Sequence, residues 1–408
     1  MQNVVVEKPY VFVPPRHGRF WQALLRLYVP RYLRSQHGVV ATEFLGVEHV
    51  RRSIAAGHGV LLAPNHCRPC DPMVLGRMGR EFGRPVYIMA SWHLFAQGGL
   101  MSWLLPRLGV FSVYREGLDR PAIKCATQIL VAGRRPLVLF PEGVITRTND
   151  RLGALLDGVA FIARSAAKAR AAAQSAGQVV IHPVGIRYFF EGGIEEALKA
   201  PLDEFERRLT WQPRSGVAAG ERIVKLGDAL LALKEIEYLG AIRSGPFAER
   251  LSRLIDHLLA PLETEWLKIP READVVARVK ALRSAILPDM VSGEIDEAER
   301  ARRWRQLADL YLAQQLSLYP PDYFGQPAPT AEQLLETMER IEEDLTDRVR
   351  RYQPLRAVVE VGEAIPVEPT RPRGVNGDPL MATLRTAIEG LITGLKARRR
   401  VSSGQETV

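Results

Sequence analysis

The densest group of reactive side chains is the segment APNHCRPCDP, residues 63–72, at the end of an apolar run. A turn between His66 and Asp71 can bring the imidazole beside the carboxylate, and such a pair serves as a general base with its orienting acid. Two simpler interpretations stay open, because an aspartate directly before Pro72 is typical of a helix start and a turn histidine often has a structural role. The spacing therefore indicates a candidate catalytic pair.

Cys67 and Cys70 in the same segment offer a competing chemistry. A Cys-x-Pro-Cys pattern between a strand and a helix suits a thiol–disulfide pair, because a helix N-terminus lowers the thiol pKa. A pair of buried, neutral cysteines is the favoured interpretation. The chain has three cysteines in all, too few for a disulfide framework, so we expect a reducing, intracellular setting.

Further candidates lie in three later segments, GVFSVYREG (109–117), LVLFPEG (137–143) and VVIHPVGIRY (179–188). Arg115 follows an apolar strand and can hold a phosphate or carboxylate in its fork. Glu142, exposed at the end of its strand, can accept from a substrate hydroxyl or pair with Arg115, and Gly143 lets a ligand approach the backbone. We expect His182 to be structural and Pro183 to mark a strand edge or irregularity. Taken singly, a surface arginine and a turn carboxylate are the default interpretations.

Alternating strands and helices must position these residues. Between residues 40 and 190, short apolar runs predict buried strands at 59–65, 85–90, 136–143 and 179–188. Helical periodicity lies between them, at 71–83 and 158–177. This alternation favours an α/β sheet covered on its faces.

Residues 191–354 are helical in period and rich in charge, and we interpret them as an all-helical insertion. No internal repeat of fixed period is apparent in them. Residues 355–400 return to a strand and then a helix, which we expect to complete the α/β domain begun at 41–190. Residues 401–408 form a tail.

Residues 1–40 carry six basic side chains and one acidic side chain. One helical face carries Phe20, Leu24, Leu27 and Tyr28, and Pro30 is expected to stop that helix. A basic amphipathic segment suits contact with an anionic membrane surface, and packing on its own domain is an equally open interpretation.

Composition narrows the class of protein. Apolar residues make up 47% and charged residues 25% of the 408 residues, which excludes a disordered chain, a collagen and a multi-span membrane protein. The net charge of +9 favours an anionic partner. The first residues lack the pattern of a secretory signal, and no apolar run is long enough to predict a membrane-spanning helix.

In order and spacing, NHCRPCDP, GVFSVYREG, LFPEG and IHPVGIRY closely resemble the four motifs of the phospholipid/glycerol acyltransferase family. That family contains the lysophosphatidate and glycerol-3-phosphate acyltransferases. The resemblance covers about residues 40–190, and 358–367 is similar to a later strand of the family. Together with the helical block, it implies a mixed sheet flanked by helices, with a large all-helical insertion before the last strand and helix.

The resemblance also implies roles for individual residues. His66 would be the general base, with Asp71 as its partner. Arg115 would bind the phosphate of the acceptor, and Glu142 and Gly143 would shape the acceptor pocket.

This sequence departs from the family pattern at three places. Arg68 stands where the family usually has serine, and Leu155-Leu156-Asp157-Gly158 stands where Phe-Lys-x-Gly is common. Val144 and Ile145 separate the Pro-Glu-Gly turn from the Thr-Arg pair that usually follows it directly. A shift of two residues restores the later spacing, so Arg147 is still expected to reach the acceptor phosphate.

The resemblance implies direct transfer of a fatty acyl chain from acyl-CoA or acyl carrier protein to lysophosphatidate or a similar glycerol-phosphate lipid, in phospholipid biosynthesis. It implies no metal and no cofactor beyond this thioester co-substrate. We expect both substrates and an anionic membrane surface as partners, no nucleic acid, and a partner or dimer contact through the helical insertion. The expected location is cytoplasmic, peripheral on the cytoplasmic face of the membrane. Two alternatives remain open: a thiol–disulfide oxidoreductase acting through Cys67 and Cys70, and a non-catalytic membrane-surface adaptor.

Overall fold

The structure is a computed structural model that describes residues 9–18, 20–25, 27–214, 216–267, 274–320, 323, 329–372 and 377–403. The chain divides into two compact units. The first contains Tyr10–Phe189 together with the chain from Gln353 onward, and the second contains Phe190–Tyr352.

A mixed sheet forms the centre of the first unit. Its strands are β1 (Val39–Leu45), β2 (Gly59–Pro64), β3 (Tyr87–Ser91), β4 (Val110–Val113), β5 (Leu137–Val138), β6 (Val179–Phe190), β7 (Leu355–Val361) and β8 (Ile365–Pro366). The order across the sheet is β1-β7-β6-β2-β5-β3-β4, and β8 pairs antiparallel with β6. The pairs β1–β7, β2–β6, β2–β5, β3–β5 and β3–β4 are parallel. The expected α/β class with a mixed sheet is confirmed.

Helices flank the sheet and fill the segment between β6 and β7. They are α1 (Phe20–Leu25), α2 (Tyr28–His37), α3 (Val47–Ala55), α4 (Asp71–Met78), α5 (His93–Ala96), α6 (Gly99–Arg107), α7 (Arg120–Ala132), α8 (Gly158–Ala172), α9 (Ile194–Arg208), α10 (Ala219–Leu239), α11 (Phe247–Trp266), α12 (Val275–Ser292), α13 (Glu297–Ser317), α14 (Ala331–Thr346) and α15 (Pro379–Ser403). The described residues between β6 and β7 form helices α9 to α14 and no strand, as expected of the insertion.

The core of the first unit joins β2, β5 and β6 to α7, α8 and α15. Its fully buried residues include Leu61, Leu130, Leu137, Ala163, Ile181 and Leu384. Every residue of β2 is buried, which explains its unbroken apolar sequence GVLLAP. Helix α15, which begins at Pro379, thus packs on the same core as β2, which begins at Gly59. Only tertiary packing can bring such distant segments of the chain together.

The expectation that Pro30 stops the first helix is wrong. The helix ends earlier, at Leu25, and Pro30 lies in the first turn of α2, whose N-cap is Leu27. Backbone amides in the first turn of a helix have no partner within the helix, so a proline there loses no hydrogen bond.

Pro183 lies in an interior strand, so the expectation of a sheet edge is wrong, whereas the expected irregularity is present. Strand β6 lies between β7 and β2 in the sheet. On one side β8 pairs with Val180 and Ile181, and Gly362, in the link between β7 and β8, donates its amide to the Pro183 carbonyl. The proline falls where this ladder changes partner, and a missing amide is tolerated at such a break.

The second unit contains a repeat that the sequence analysis missed. Arg222, Arg250 and Arg278 are equally spaced along the chain. Each lies at the fourth position of its helix, in α10, α11 and α12 respectively. Each guanidinium contacts a glutamate of the preceding helix through two N–O distances of 2.7–3.0 Å, and the pairs are Arg222–Glu206, Arg250–Glu235 and Arg278–Glu263. The expectation of no fixed repeat is wrong, because the regular spacing lies in ion pairs between neighbouring helices and not in an apolar motif.

None of the helices in the described ranges combines the length and the apolar composition that a membrane crossing requires.

Candidate active site

His66 and Asp71 form a buried pair at the carboxyl edge of the sheet. His66 lies in the turn between β2 and α4, and its Nδ1 is 2.9 Å from Oδ2 of Asp71. The Asp71 side chain is fully buried, whereas 10% of the His66 side chain is exposed. With Nδ1–H donating to the carboxylate, Nε2 is the nitrogen that can accept a proton. The imidazole also stacks on the Phe140 ring at a centroid distance of 3.9 Å.

Two further donors hold the Asp71 carboxylate. The Arg68 backbone amide donates to Oδ2 at 2.9 Å, and the Tyr188 hydroxyl donates to Oδ1 at 2.6 Å. Asp71 opens α4, but its side chain turns back to the preceding loop and does not cap the helix. Tyr188 was missed by the sequence analysis, although the period of two in β6 puts Ile186 and Tyr188 on the same face.

The backbone of His66 is fixed from both sides. Its amide donates to Oε1 of Glu142 at 2.7 Å, and its carbonyl accepts from the Thr146 amide at 2.8 Å. The other oxygen of Glu142 accepts from the Gly153 amide at 2.6 Å. Glu142 is 1% exposed, so the expectation that its carboxylate is exposed at the end of the strand is wrong. The carboxylate holds the turn that carries the histidine.

Gly143 is required by the shape of this turn. Its φ of +69° lies in the left-handed region, and a Cβ at this position would approach Cδ1 of Leu156 to 2.6 Å. The loop continues to Arg147, which is buried and also has a positive φ of 50°. The Pro-Glu-Gly turn and the Thr-Arg pair thus belong to one compact loop against His66.

Two buried asparagines fasten β6 beside the pair, and the sequence analysis missed both. Asn65 donates to the Ile186 carbonyl at 3.0 Å and accepts from its amide at 2.7 Å. Asn149 makes the same two contacts with the backbone of Tyr188. An asparagine directly before the histidine, at the end of a buried strand, is a signal that could have been used.

Arg115 lies on the exposed loop after β4, which is the edge strand of the sheet. Asp119 fixes this loop by accepting from the Tyr114 amide at 2.8 Å and the Ala122 amide at 2.9 Å. Because β4 is three places from β2 in the sheet, about 14 Å separates the two strands. Among the described residues, no hydrogen bond joins Arg115 to His66 or Glu142.

The two neighbouring cysteines are buried free thiols, each 1% exposed. Burial, together with the nearby Asp71 carboxylate, raises the pKa of the Cys70 thiol to about 12. A thiol–disulfide exchange needs an accessible thiolate, so this environment favours the structural interpretation of the pair.

His182 makes structural contacts on both ring nitrogens. Its Nε2 is 2.9 Å from the Ser53 hydroxyl, and its Nδ1 donates to the Gly362 carbonyl at 2.9 Å. Burial lowers its pKa, so it stays neutral in the core.

Glu142 provides a prediction about pH. Burial raises its pKa from 4.5 to about 7, although the amides of His66 and Gly153 favour the charged form. The folded protein then binds this proton more tightly than the unfolded chain, so stability falls as pH rises between about 4.5 and 7. In Glu142→Gln this contribution is absent. As pH rises through this window, the free energy of unfolding of the wild type should therefore fall relative to that of the variant.

Urea unfolding of both proteins at several pH values measures this difference. Parallel stability curves would contradict the prediction, because they would mean that the pKa of Glu142 is the same in the folded and unfolded states.

Residues 42–187 match a family model described as Acyltransferase. The matched range contains the His66–Asp71 pair, the Pro-Glu-Gly loop and both asparagines, and it stops one residue before Tyr188. A comparison with curated proteins finds no match.

Proposed function

We propose that this chain, whose residues 42–187 match the acyltransferase family, acylates a hydroxyl of lysophosphatidate or a similar glycerol-phosphate lipid. The proposed donor is an acyl thioester, either acyl-CoA or acyl carrier protein, and the proposed role is in phospholipid biosynthesis. The observation that carries the proposal is the buried His66–Asp71 pair, with one ring nitrogen held by the carboxylate at 2.9 Å.

In the proposed reaction the acceptor hydroxyl attacks the thioester carbonyl directly. Nε2 of His66 takes the hydroxyl proton as the new C–O bond forms, and the Asp71 carboxylate stabilises the imidazolium. The tetrahedral intermediate then expels the thiolate, which takes the proton back from the imidazolium. The products are a new ester and a free thiol, and His66 returns to its starting state.

Two arginines are the proposed phosphate ligands. Arg115 is exposed at the end of β4, and Arg147 belongs to the loop that holds the His66 backbone. A guanidinium binds a phosphate through two parallel hydrogen bonds. Glu142 and Gly143 act on the acceptor through the shape of this loop, since the carboxylate is already bonded to two amides.

We also propose that the protein binds peripherally to the cytoplasmic face of an anionic membrane. Phe20 on α1 is 68% exposed and Leu100 on α6 is 74% exposed. The rings of Trp21 and Trp103 meet edge to face at 4.9 Å, which joins the two helices into one apolar surface. Arg107 lies over the Trp103 ring at 3.6 Å. Exposed apolar and indole side chains beside arginine suit the interface between lipid headgroups and acyl chains.

Replacing Phe20 and Leu24 by serine is expected to weaken binding to vesicles of phosphatidylcholine and phosphatidylglycerol by about tenfold or more, because two apolar side chains no longer enter the interface. Both side chains are exposed, so the fold should be kept. Vesicle sedimentation measures the effect. The matched control replaces Leu233 and Ile236, exposed residues of α10, by serine. Equal loss in the two double variants would contradict the proposed membrane surface.

The reaction itself is tested by lipid mass spectrometry on purified protein in mixed micelles. The assay supplies an acyl-CoA, or acyl carrier protein loaded with the same chain, and a panel of lysophospholipids together with glycerol-3-phosphate. A product from one acceptor that disappears in His66→Ala would support both the reaction and the acceptor. A protein that makes no product with either donor but still binds vesicles would support the adaptor alternative.

A further inference from the structure

A basic cavity lies at the amino-terminal edge of the sheet, opposite the edge that carries the His66–Asp71 pair. It has a volume of about 230 Å³ and is lined by His17, Arg84, Tyr87, Arg134 and Arg135. Tyr87 is the first residue of β3, and Arg135 lies two residues before the start of β5. Because β3 has five residues, roughly 16 Å separates this edge from the edge that carries the proposed catalytic residues.

Four of the five lining side chains are held by contacts within the protein. Nδ1 of His17 is 2.6 Å from the Tyr87 hydroxyl, and Arg135 donates to the His17 carbonyl. The Arg135 guanidinium also lies over the Tyr87 ring at 5.1 Å. Arg84 donates to the Arg134 carbonyl at 2.8 Å. The cavity is therefore built before any ligand arrives, which lowers the cost of ordering side chains on binding.

Three guanidinium groups surround this cavity, and its lining includes no aspartate or glutamate among the residues that the structure describes. In the described part of the chain, neither Arg84 nor Arg134 forms an ion pair with a carboxylate. Arg164, by contrast, lies 2.8 Å from the Asp378 carboxylate. Like charges around one cavity repel each other. A bound phosphate would offset this repulsion and accept hydrogen bonds from the guanidinium N–H groups.

The surroundings of the cavity indicate a membrane lipid as the source of the phosphate. His17 is three residues before α1, whose Phe20 is exposed, so the two lie within about 11 Å along the chain. Gln22 of α1 donates to the Leu108 carbonyl at 2.6 Å, next to Gly109, and a Cβ on Gly109 would lie 3.3 Å from the Tyr87 ring. A phosphate in the cavity would thus lie beside an exposed apolar helix.

We propose that this cavity binds the phosphate of an anionic membrane lipid, separately from the acceptor lipid at the catalytic edge. Its role is to hold the protein at a membrane that contains such lipids. The proposal concerns binding alone, so it can fail or succeed independently of the proposed acyl transfer.

The test compares binding to phosphatidylcholine vesicles with and without phosphatidate. One arginine near an anionic membrane is worth about fivefold in affinity, so Arg84→Gln with Arg134→Gln should lose about tenfold or more on the phosphatidate vesicles. Binding to phosphatidylcholine alone should be unchanged. Arg134→Gln alone, at an exposed position, should show about half of the effect on a logarithmic scale and guards against misfolding of the double variant.

The matched control replaces two exposed lysines, Lys124 and Lys396, by glutamine. It removes the same charge, but Lys124 precedes Arg134 by roughly 15 Å of helix, and Lys396 lies on α15 next to Leu395, which packs on Val358 of β7. The control should lose less than about twofold, because charges beyond a Debye length of about 8–10 Å are screened. Equal loss in both double variants would overturn the proposal, since general charge would then explain binding.

Calorimetry with inorganic phosphate distinguishes the two sources of the anion. Weak phosphate binding that the arginine variant loses, together with the loss on phosphatidate vesicles, supports the lipid assignment. Loss of phosphate binding with unchanged vesicle affinity would overturn that assignment in favour of a soluble phosphate compound.

Discussion

Replacing His66 by alanine is expected to lower kcat/KM for acyl transfer by roughly two to four orders of magnitude, the usual contribution of a positioned general base. The Asp71 carboxylate keeps its bonds from the Arg68 amide and the Tyr188 hydroxyl, so the turn should keep its shape. The mass-spectrometric assay gives the rate, and thermal unfolding reports on the fold. The loss should appear in kcat, because the proton transfer belongs to the transition state.

Cys70→Ser is the control for the competing chemistry. Acyl transfer should change by less than about threefold, because the raised pKa of this thiol keeps it out of nucleophilic chemistry. A large loss of activity in Cys70→Ser, together with normal activity in His66→Ala, would contradict the histidine mechanism. That result would favour the thiol–disulfide alternative.

Replacing Asp71 by asparagine is expected to lower kcat by about two to four orders of magnitude, as removing the carboxylate partner of a catalytic histidine does elsewhere. The amide can place its oxygen toward Nδ1 of His66, which keeps the tautomer but removes the charge that stabilises the imidazolium. It can instead place its NH2 group there, against the N–H donors of His66 and Arg68, which forces the other tautomer. Both arrangements impair the base.

A pH–rate profile distinguishes these effects from a general loss of structure. In Asp71→Asn the imidazolium loses its carboxylate partner, so the acidic limb of the kcat/KM profile, where the rate rises with pH, should move to lower pH than in the wild type. An unchanged profile with near-normal kcat would mean that the carboxylate is a structural part of the turn only.

The His66–Asp71 pair could be predicted because it is local. The two residues are five positions apart, and any tight turn between a strand and a helix brings such neighbours together. The α/β class followed in the same way, since buried strands such as GVLLAP have a distinct apolar pattern. The exposed loop that carries Arg115 was also evident from its position after an apolar strand.

The partners of that pair could not be predicted, because they come from distant parts of the chain. Glu142 is 76 positions from His66, and Tyr188 is 117 positions from Asp71. A carboxylate at the end of a strand looks exposed in a sequence, and only the packing of the loop around Gly143 buries it. The same holds for Pro183, whose interior place depends on the position of β6 between β7 and β2 in the sheet.

Sequence alone therefore determined the chemistry of this protein at short range, namely the candidate base, its acid and the strand–helix alternation that carries them. Tertiary structure decided which groups hold the base in place, that Glu142 supports the backbone, and that three arginines meet at the opposite edge. The physical reason is that side-chain type and local periodicity act over a few residues, whereas burial and hydrogen-bond partners depend on contacts that the folded sheet creates between distant segments.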